Sequence, residues 1–533
     1  MKNAHRQNDR WRWLTAGAVA VCLLAFTLLI GLLGWQGVRA FWPQPVDRYQ
    51  FQAPGASPVT LLGETLQAER QSSGWRYLVK TGNRDIAAPD FRVIYSAGPA
   101  LAEQPRDVLV LQRRNGGNAY GWLVALREDN ETLTAHNRDA LLQQRLQQVQ
   151  ELLRQAEDIR RIDMARLNAQ LENLQQQADE QQREQRFGLQ QQSEFDANSA
   201  ALHRRFSALA QQLAHLQQAS QRDTLILRDA QGAEHTIPLA QIVAAWYPNH
   251  MSLPQKTQHF LRQVWQFVSD SPAAGGSESG AFPAIFGTVL MVVLMSVIVM
   301  PLGVVAAVWL HEYAGRHALT RLVRIAVVNL AGVPSIVYGV FGLGFFVWLI
   351  GGTLDQLFFS RALPNPTFGT PGLLWASLTL ALLTLPVVIV ATEEGLSRIP
   401  DTLRQGSLAL GATQAETLWR VVLPLAVPAM LTGLILAVAR AAGETAPLML
   451  VGVVKMVPEL PVDAVFPYLH LDRKFMHLGF QIYDLAFQSP NIDADRPLVY
   501  ATALLLVMII LSLNLLAMVL RHRLRERYRL MTH

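Results

Sequence analysis

The chain has 533 residues, 50% hydrophobic and only 16% charged, with a formal net charge of +5. Its single cysteine, Cys22, excludes an intrachain disulfide and any cysteine-built metal site. The basic excess is small, and Lys and Arg collect beside long apolar runs, so it reports membrane orientation and excludes nucleic-acid binding as its purpose.

Apolar runs long enough to cross a hydrocarbon core of ~30 Å occur at Leu14–Gly34, Ala284–Leu310, Leu322–Ile350, Leu373–Ala391, Pro428–Val451 and Val499–Leu520. They predict an all-α polytopic membrane protein with six transmembrane helices and one large polar insert. Residues 1–35 form the N-terminus and first span, 36–282 the insert, and 283–533 the remaining spans. The first run exceeds the apolar core of a secretion signal, and Trp35 and Trp42 stand where interfacial anchors belong, so a retained anchor is expected despite the cleavage-like Val38-Arg39-Ala40. Lys2, Arg6, Arg10 and Arg12 precede span one, Arg316, Arg321 and Arg324 separate spans two and three, and Arg521, Arg523, Arg525, Arg527 and Arg529 follow span six. By the positive-inside rule these flanks are cytoplasmic, as are both termini, and the insert is periplasmic.

To about residue 135 the insert reads as a small β-rich module, with "FRVIYS" and "DVLVLQ" as strands. From about 137 to 220 it becomes rich in Gln, Arg, Glu and Leu. Leu142, Leu146, Val149 and Leu153, and again Leu202, Phe206, Leu209 and Leu213, step as a coiled-coil seam. Arg160 and Asp163 occupy seam positions, and Gly188 permits a turn, so either an antiparallel helical hairpin or one long rod fits. Residues 223–238 resemble a β-hairpin with a Gln-Gly turn, followed by a Gly/Ser linker to span two. No catalytic constellation is present in the insert, which reads as a spacer or docking module.

Between spans four and five, residues 393–427 predict helix, glycine turn, helix. Asp401 is expected as a cap, Gly411 as the left-handed helix end, and Thr413 with Glu416 as a capping box. Leu403 and Leu410 are expected on one side with Ser407 between them, and Gly406 and Ser407 leave room for a partner. An ordinary amphipathic interfacial helix fits the same spacing.

In "LAVARAAGETAPLML", residues 436–450, Arg440 and Glu444 interrupt an apolar run at a cost of roughly 2.5–3.5 kcal/mol each on insertion scales. The i, i+4 spacing places both on one helix face. Either the pair neutralises itself for packing or it lines a polar path. Gly443 and Pro447, and Gly332 and Pro334 in span three, permit kinks or close helix approach. Ser335 offers a hydroxyl, and packing explains the same small residues equally well. His470 and His477 lie two helical turns apart without a carboxylate set, and no metal site is read there. No G-x-x-x-x-G-K-[ST] loop occurs, so no ATP site is recognisable in this chain.

The order Gln405-Gly406-Ser407, Gly411, Leu423-Pro424 resembles the EAA loop of bacterial ABC-importer permeases, with Gln-Gly-Ser in place of Glu-Ala-Ala. "FPAIFGT" (282–288), "AGVPSIVYGVFG" (331–342) and "RAAGETAP" (440–447) together resemble the PstA-type permeases of phosphate importers, over roughly 280–530. The resemblance implies a type I ABC-importer permease fold in the bacterial inner membrane, with no ATPase activity and no cofactor of its own. It implies partners: a homologous PstC-type permease, a PstB-type ATPase dimer and a PstS-type periplasmic phosphate-binding protein. It also implies a substrate path at Arg440, Glu444, Thr445 and Ser335, and ATPase docking at Leu403, Gln405, Gly406, Ser407, Leu410 and Gly411. The long insert departs from compact members. A membrane-anchored coiled-coil signalling or scaffolding protein, or a permease for another oxyanion, are the competing readings.

Overall fold

The computed structural model describes residues 2–51, 59–71, 74–82, 90–96, 102–114, 117–129, 131–133, 138–183, 188–271, 280–315, 317–360, 366–457, 459–463, 467–489 and 492–530. Two compact units emerge: Trp42–Trp265, and α1 (Lys2–Phe41) together with Gln266–Ser271 and the chain from Gly280 onward.

The first unit carries two antiparallel sheets. Strands β1 (Val46–Phe51), β2 (Val59–Gln71), β3 (Gly74–Lys80), β4 (Phe91–Ser96) and β5 (Ala102–Glu103) assemble in the order β4-β3-β2-β1-β5. The second sheet uses β6 (Leu109–Arg113), β7 (Ala119–Glu128), β8 (Glu131–Leu133), β9 (Asp223–Arg228), β10 (Glu234–Pro238) and β11 (Ile242–Trp246). Its order is β10-β9-β7-β6-β11, with β8 beside β7. Period-two alternation explains why β6 is buried throughout. Val110 joins Val46, Leu62 and Tyr120, whereas Leu109 and Leu111 face the cluster that receives a helix.

That helix is α2 (Arg138–Asp158), which passes through a π-helical turn, Ile159–Met164, into α3 (Ala165–Arg183). Helix α4 (Leu189–Ser220) returns along both, forming a helical hairpin. The α2 seam does not face α4: Leu142, Leu146 and Val149 are buried against Leu109, Leu126, Leu225 and Leu227 of the sheet. A 4-3-4 apolar spacing makes one stripe on a helix, and a sheet covers such a stripe as well as a second helix does. The π-helical turn falls where polar residues interrupt the seam. Ile159 is buried, and Arg160, Arg161 and Asp163 are exposed. Between β9 and β10, Asp229 Oδ1 accepts from the N–H groups of Gln231 and Ala233. Helix α5 (Leu253–Ser269) follows β11 in the chain.

In the second unit, α6 (Phe282–Val308) continues by a π-helical turn to Tyr313. Helix α7 (Ala318–Leu330) is separate, and α8 (Ser335–Phe341) runs on through Gly342–Gly351 into α9 (Gly352–Phe358). Helices α10 (Leu373–Ser397) and α11 (Asp401–Ala409) follow. Helix α12 (Gln414–Thr417) merges through a π-helical turn at Leu418–Val422 into α13 (Leu423–Gly443). Helices α14 (Leu448–Val451), α15 (Leu478–Tyr483) and α16 (Ile492–Leu530) complete the chain. Among the described residues six helices are long and apolar enough to cross a membrane: Trp13–Phe41, Phe282–Tyr313, Ser335–Phe358, Leu373–Ser397, Gln414–Gly443 and Asp495–Arg523.

Two boundaries differ from the apolar runs. Span three begins at Ser335 and not at Leu322. Val333 precedes proline, which biases it away from the helical region, and Pro334 is extended at φ −55°, ψ 136°. Span five begins at Gln414 and ends at Gly443, so it includes Pro424 and Pro428. Proline removes an N–H and crowds the carbonyl four residues back, and the π-helical turn before Pro424 re-routes those bonds. Asp401 is not the cap of α11. Pro400 holds that position, and Asp401 stands in the first turn, where its charge still suits the helix dipole.

Helix α10 is the buried centre. Its Leu373, Ala376, Leu380 and Val388 are fully inaccessible, packed with Met291, Met295 and Val299 of α6 and Ala437 and Ala441 of α13.

Candidate functional site

Arg440 lies in the last turn of α13, and Glu444 lies just beyond it with extended backbone angles of −81° and 125°. The pair therefore closes across a helix end and does not sit mid-helix. Carbonyls at a helix C-terminus favour a cation, which helps hold the guanidinium in an otherwise apolar segment. Arg440 Nε stands 3.7 Å from Glu444 Oε1, beyond hydrogen-bond length. The side chains remain 34% and 23% exposed. No hydrogen bond and no second ion pair of this guanidinium occurs among the described residues, so its planar fork keeps donors for an incoming oxyanion.

Three segments meet around the pair. Pro447, three residues after Glu444, packs on α8: a Cβ added to Gly339 would lie 2.7 Å from Pro447 Cα, so only glycine allows this approach. Tyr338, adjacent to Gly339, lies within electrostatic reach of Arg440, and its hydroxyl donates to Leu330 O at 2.6 Å across the α7–α8 break. Thr445 Oγ1 abuts Gly479 at the start of α15. Ser335 opens α8 one turn before Gly339, and Pro334 and Gly332 form the preceding break. Gly443 and Gly332 do not mediate close helix contact. A side chain at Gly443 would meet nothing within 4 Å, and one at Gly332 only Asn329 O at 3.4 Å.

His470 and His477 do separate jobs. His470 Nε2 is 3.0 Å from Asp463 Oδ1, while His477 caps α15, its Nδ1 accepting from Gly479 N–H at 3.1 Å. Full burial pushes the His477 imidazole down to about 4. No group of three metal-ligand side chains occurs among the described residues.

At the other end of α13, Thr413 Oγ1 accepts from Glu416 N–H at 3.2 Å, and Thr413 N–H donates to Glu416 Oε2 at 2.9 Å. Gly411 takes φ +87°, a left-handed value that ends α11. Leu403 is 46% exposed and Leu410 91%. Gln405 and Gly406 are exposed, and nothing lies within 4 Å of a side chain at Gly406. Ser407 does not lie between the two leucines on the open side: it turns inward to Thr417 Oγ1 at 2.9 Å. Sequence reasoning missed Arg404, whose guanidinium faces inward to Glu312 at 3.0 Å, and Tyr338. The inward charge on an amphipathic helix was the available signal for Arg404.

A family model described as "Binding-protein-dependent transport system inner membrane component" matches residues 299–530, which contain α10–α13 and the Arg440–Glu444 pair. Phosphate transport system permease protein PstA 1 of Mycobacterium tuberculosis is 40% identical over 174 residues, 32% of this chain and 51% of that protein. The match thus spans about half the length of the mycobacterial relative. PstA of Yersinia pestis is 32% identical over 255 residues, 48% of this chain and 76% of that protein. The probable PstA of Methanocaldococcus jannaschii is 30% identical over 241 residues, 44% of this chain and 74% of that protein. A six-span helical unit whose fifth span ends in the R-A-A-G-E-T-A-P segment, matched over most of two such relatives, places the chain in the PstA-type permease family of binding-protein-dependent transport systems.

Proposed function

We propose that the chain is the permease subunit of an ATP-driven importer of inorganic phosphate in the bacterial inner membrane, with both termini cytoplasmic and the insert periplasmic. The observation that carries this reading is the one-third-exposed Arg440 side chain, its guanidinium 3.7 Å from Glu444 at a helix end. Arginine suits a phosphate path because it stays charged, binds oxyanions by a fork and is weakly hydrated. Glu444 accepts from the O–H that protonated phosphate still carries and keeps Arg440 from holding the anion too tightly. Thr445 and Ser335 add hydroxyls, and Gly443, Pro447, Gly332 and Pro334 shape the breaks in the surrounding helices.

The chain supplies no ATPase site of its own and borrows that work. Leu403, Gln405, Gly406, Ser407, Leu410 and Gly411 form the docking element for a PstB-type ATPase dimer. A PstC-type permease completes the path, and a PstS-type binding protein delivers phosphate. ATP-dependent phosphate uptake by the reconstituted complex tests the reading. Losing one charge-assisted contact of about 1.5–3 kcal/mol predicts a loss of roughly tenfold or more for Arg440→Ala, with uptake retained when 42–265 is deleted. Unchanged uptake in Arg440→Ala overturns the path assignment.

A further inference from the structure

Helix α11 carries the exposed Leu403, with Leu410 just past its end, but has no buried side chain of its own. Apolar packing therefore does not hold it to the body, and its attachment must be polar. Arg404 supplies it. Its Nη2 lies 3.0 Å from Glu312 Oε1, its Nη1 donates to Glu312 Oε2 at 3.4 Å, and Nη2 donates to Leu396 O at 3.1 Å. Both charged side chains are about four-fifths buried, at 20% and 21% exposed. Glu312 belongs to the π-helical turn that ends span two, and Leu396 to the last turn of α10. Arg324 of α7 pairs with Glu393 of α10 and also donates to Leu310 O at 3.4 Å. The end of span two is thus tied to α7 and α11, and both of these are tied in turn to α10. By contrast, Arg398 and Glu394 form a pair 3.8 Å apart that is 80% and 65% exposed and, among the described residues, bridges to no other element.

We infer that Arg404 is the positioning residue that joins the docking helix to span two, so that displacement of α11 by the ATPase moves span two through the Arg404–Glu312 ion pair. With one hydrogen bond to Glu312 and one to Leu396 O, the guanidinium holds two elements at once, so a shift of α11 is passed on to the end of span two. The inference rests on the reading of α11 as an ATPase docking element.

The test is the amount of inorganic phosphate moved per ATP hydrolysed, measured in vesicles holding the full complex, with retention of the ATPase subunits read by co-purification. Arg404→Glu and Glu312→Arg should each lower that ratio at least tenfold. The reversed pair, Arg404→Glu with Glu312→Arg, should recover it to within about threefold of the unaltered complex, as expected when a charge pair is restored. Arg398→Glu should leave it unchanged. Single variants with an unaltered ratio overturn the inference. So does an equal loss in the singles and the reversed pair, whether by uncoupling or by failed assembly. An unaltered complex that hydrolyses ATP but moves no phosphate overturns the transport reading instead.

Discussion

Arg440 and Glu444 were legible because full charges are conspicuous in an apolar run. Their placement at a helix end was not, since hydropathy continues through Pro447 to Val451. Arg404 and Glu312 were illegible for a different reason: they are 92 residues apart in the chain, and only the folded chain makes them partners. At this scale the carboxylate has a testable job. Fully ionised sulfate has no O–H to donate, so Glu444→Gln is expected to narrow the preference for phosphate over sulfate, read as phosphate uptake with and without excess sulfate. Unaltered preference would count against the hydrogen-bond role. Gly339→Ala is expected to push α8 away from Pro447, because the added methyl has no room at 2.7 Å from a backbone atom. Backbone strain of this kind costs on the order of 1–3 kcal/mol, and it should appear as a lower melting temperature of the purified protein.

Local signals carried furthest at the level of elements. The Thr413–Glu416 capping box and the left-handed Gly411 involve residues three apart or alone, and both formed as the spacing predicts. Thr413→Ala should weaken the start of α12 by about 1 kcal/mol, visible as faster amide exchange at 414–417. Orientation of a stripe is non-local, which is why α2 was misread as half of a coiled-coil seam. Its leucines face a sheet formed partly by strands that come later in the chain. Leu146→Ala opens a cavity in that core and is expected to cost about 2–5 kcal/mol. Leu209→Ala on α4, which is only half-buried, should cost clearly less, both read by thermal unfolding followed through tryptophan fluorescence.

For the molecule as a whole, acid sensitivity has an identifiable source outside the spans. Burial holds His477 at about 4, below the ordinary 6.5, so the unfolded chain binds more protons between those values. Stability from this group is complete above pH 6.5 and is lost as pH falls toward 4, by up to about 3 kcal/mol. His477→Asn keeps a short acceptor for Gly479 N–H but does not titrate, and should flatten melting temperature against pH across that window. The long helix from Gln414 to Gly443 has a further consequence. Its 30 residues make a shaft of about 45 Å, with the glycine turn at one end and the guanidinium at the other. Tilting such a shaft by about 5° around its middle would swing its far end by roughly 2 Å, carrying Arg440 and Glu444 together past Tyr338 of α8.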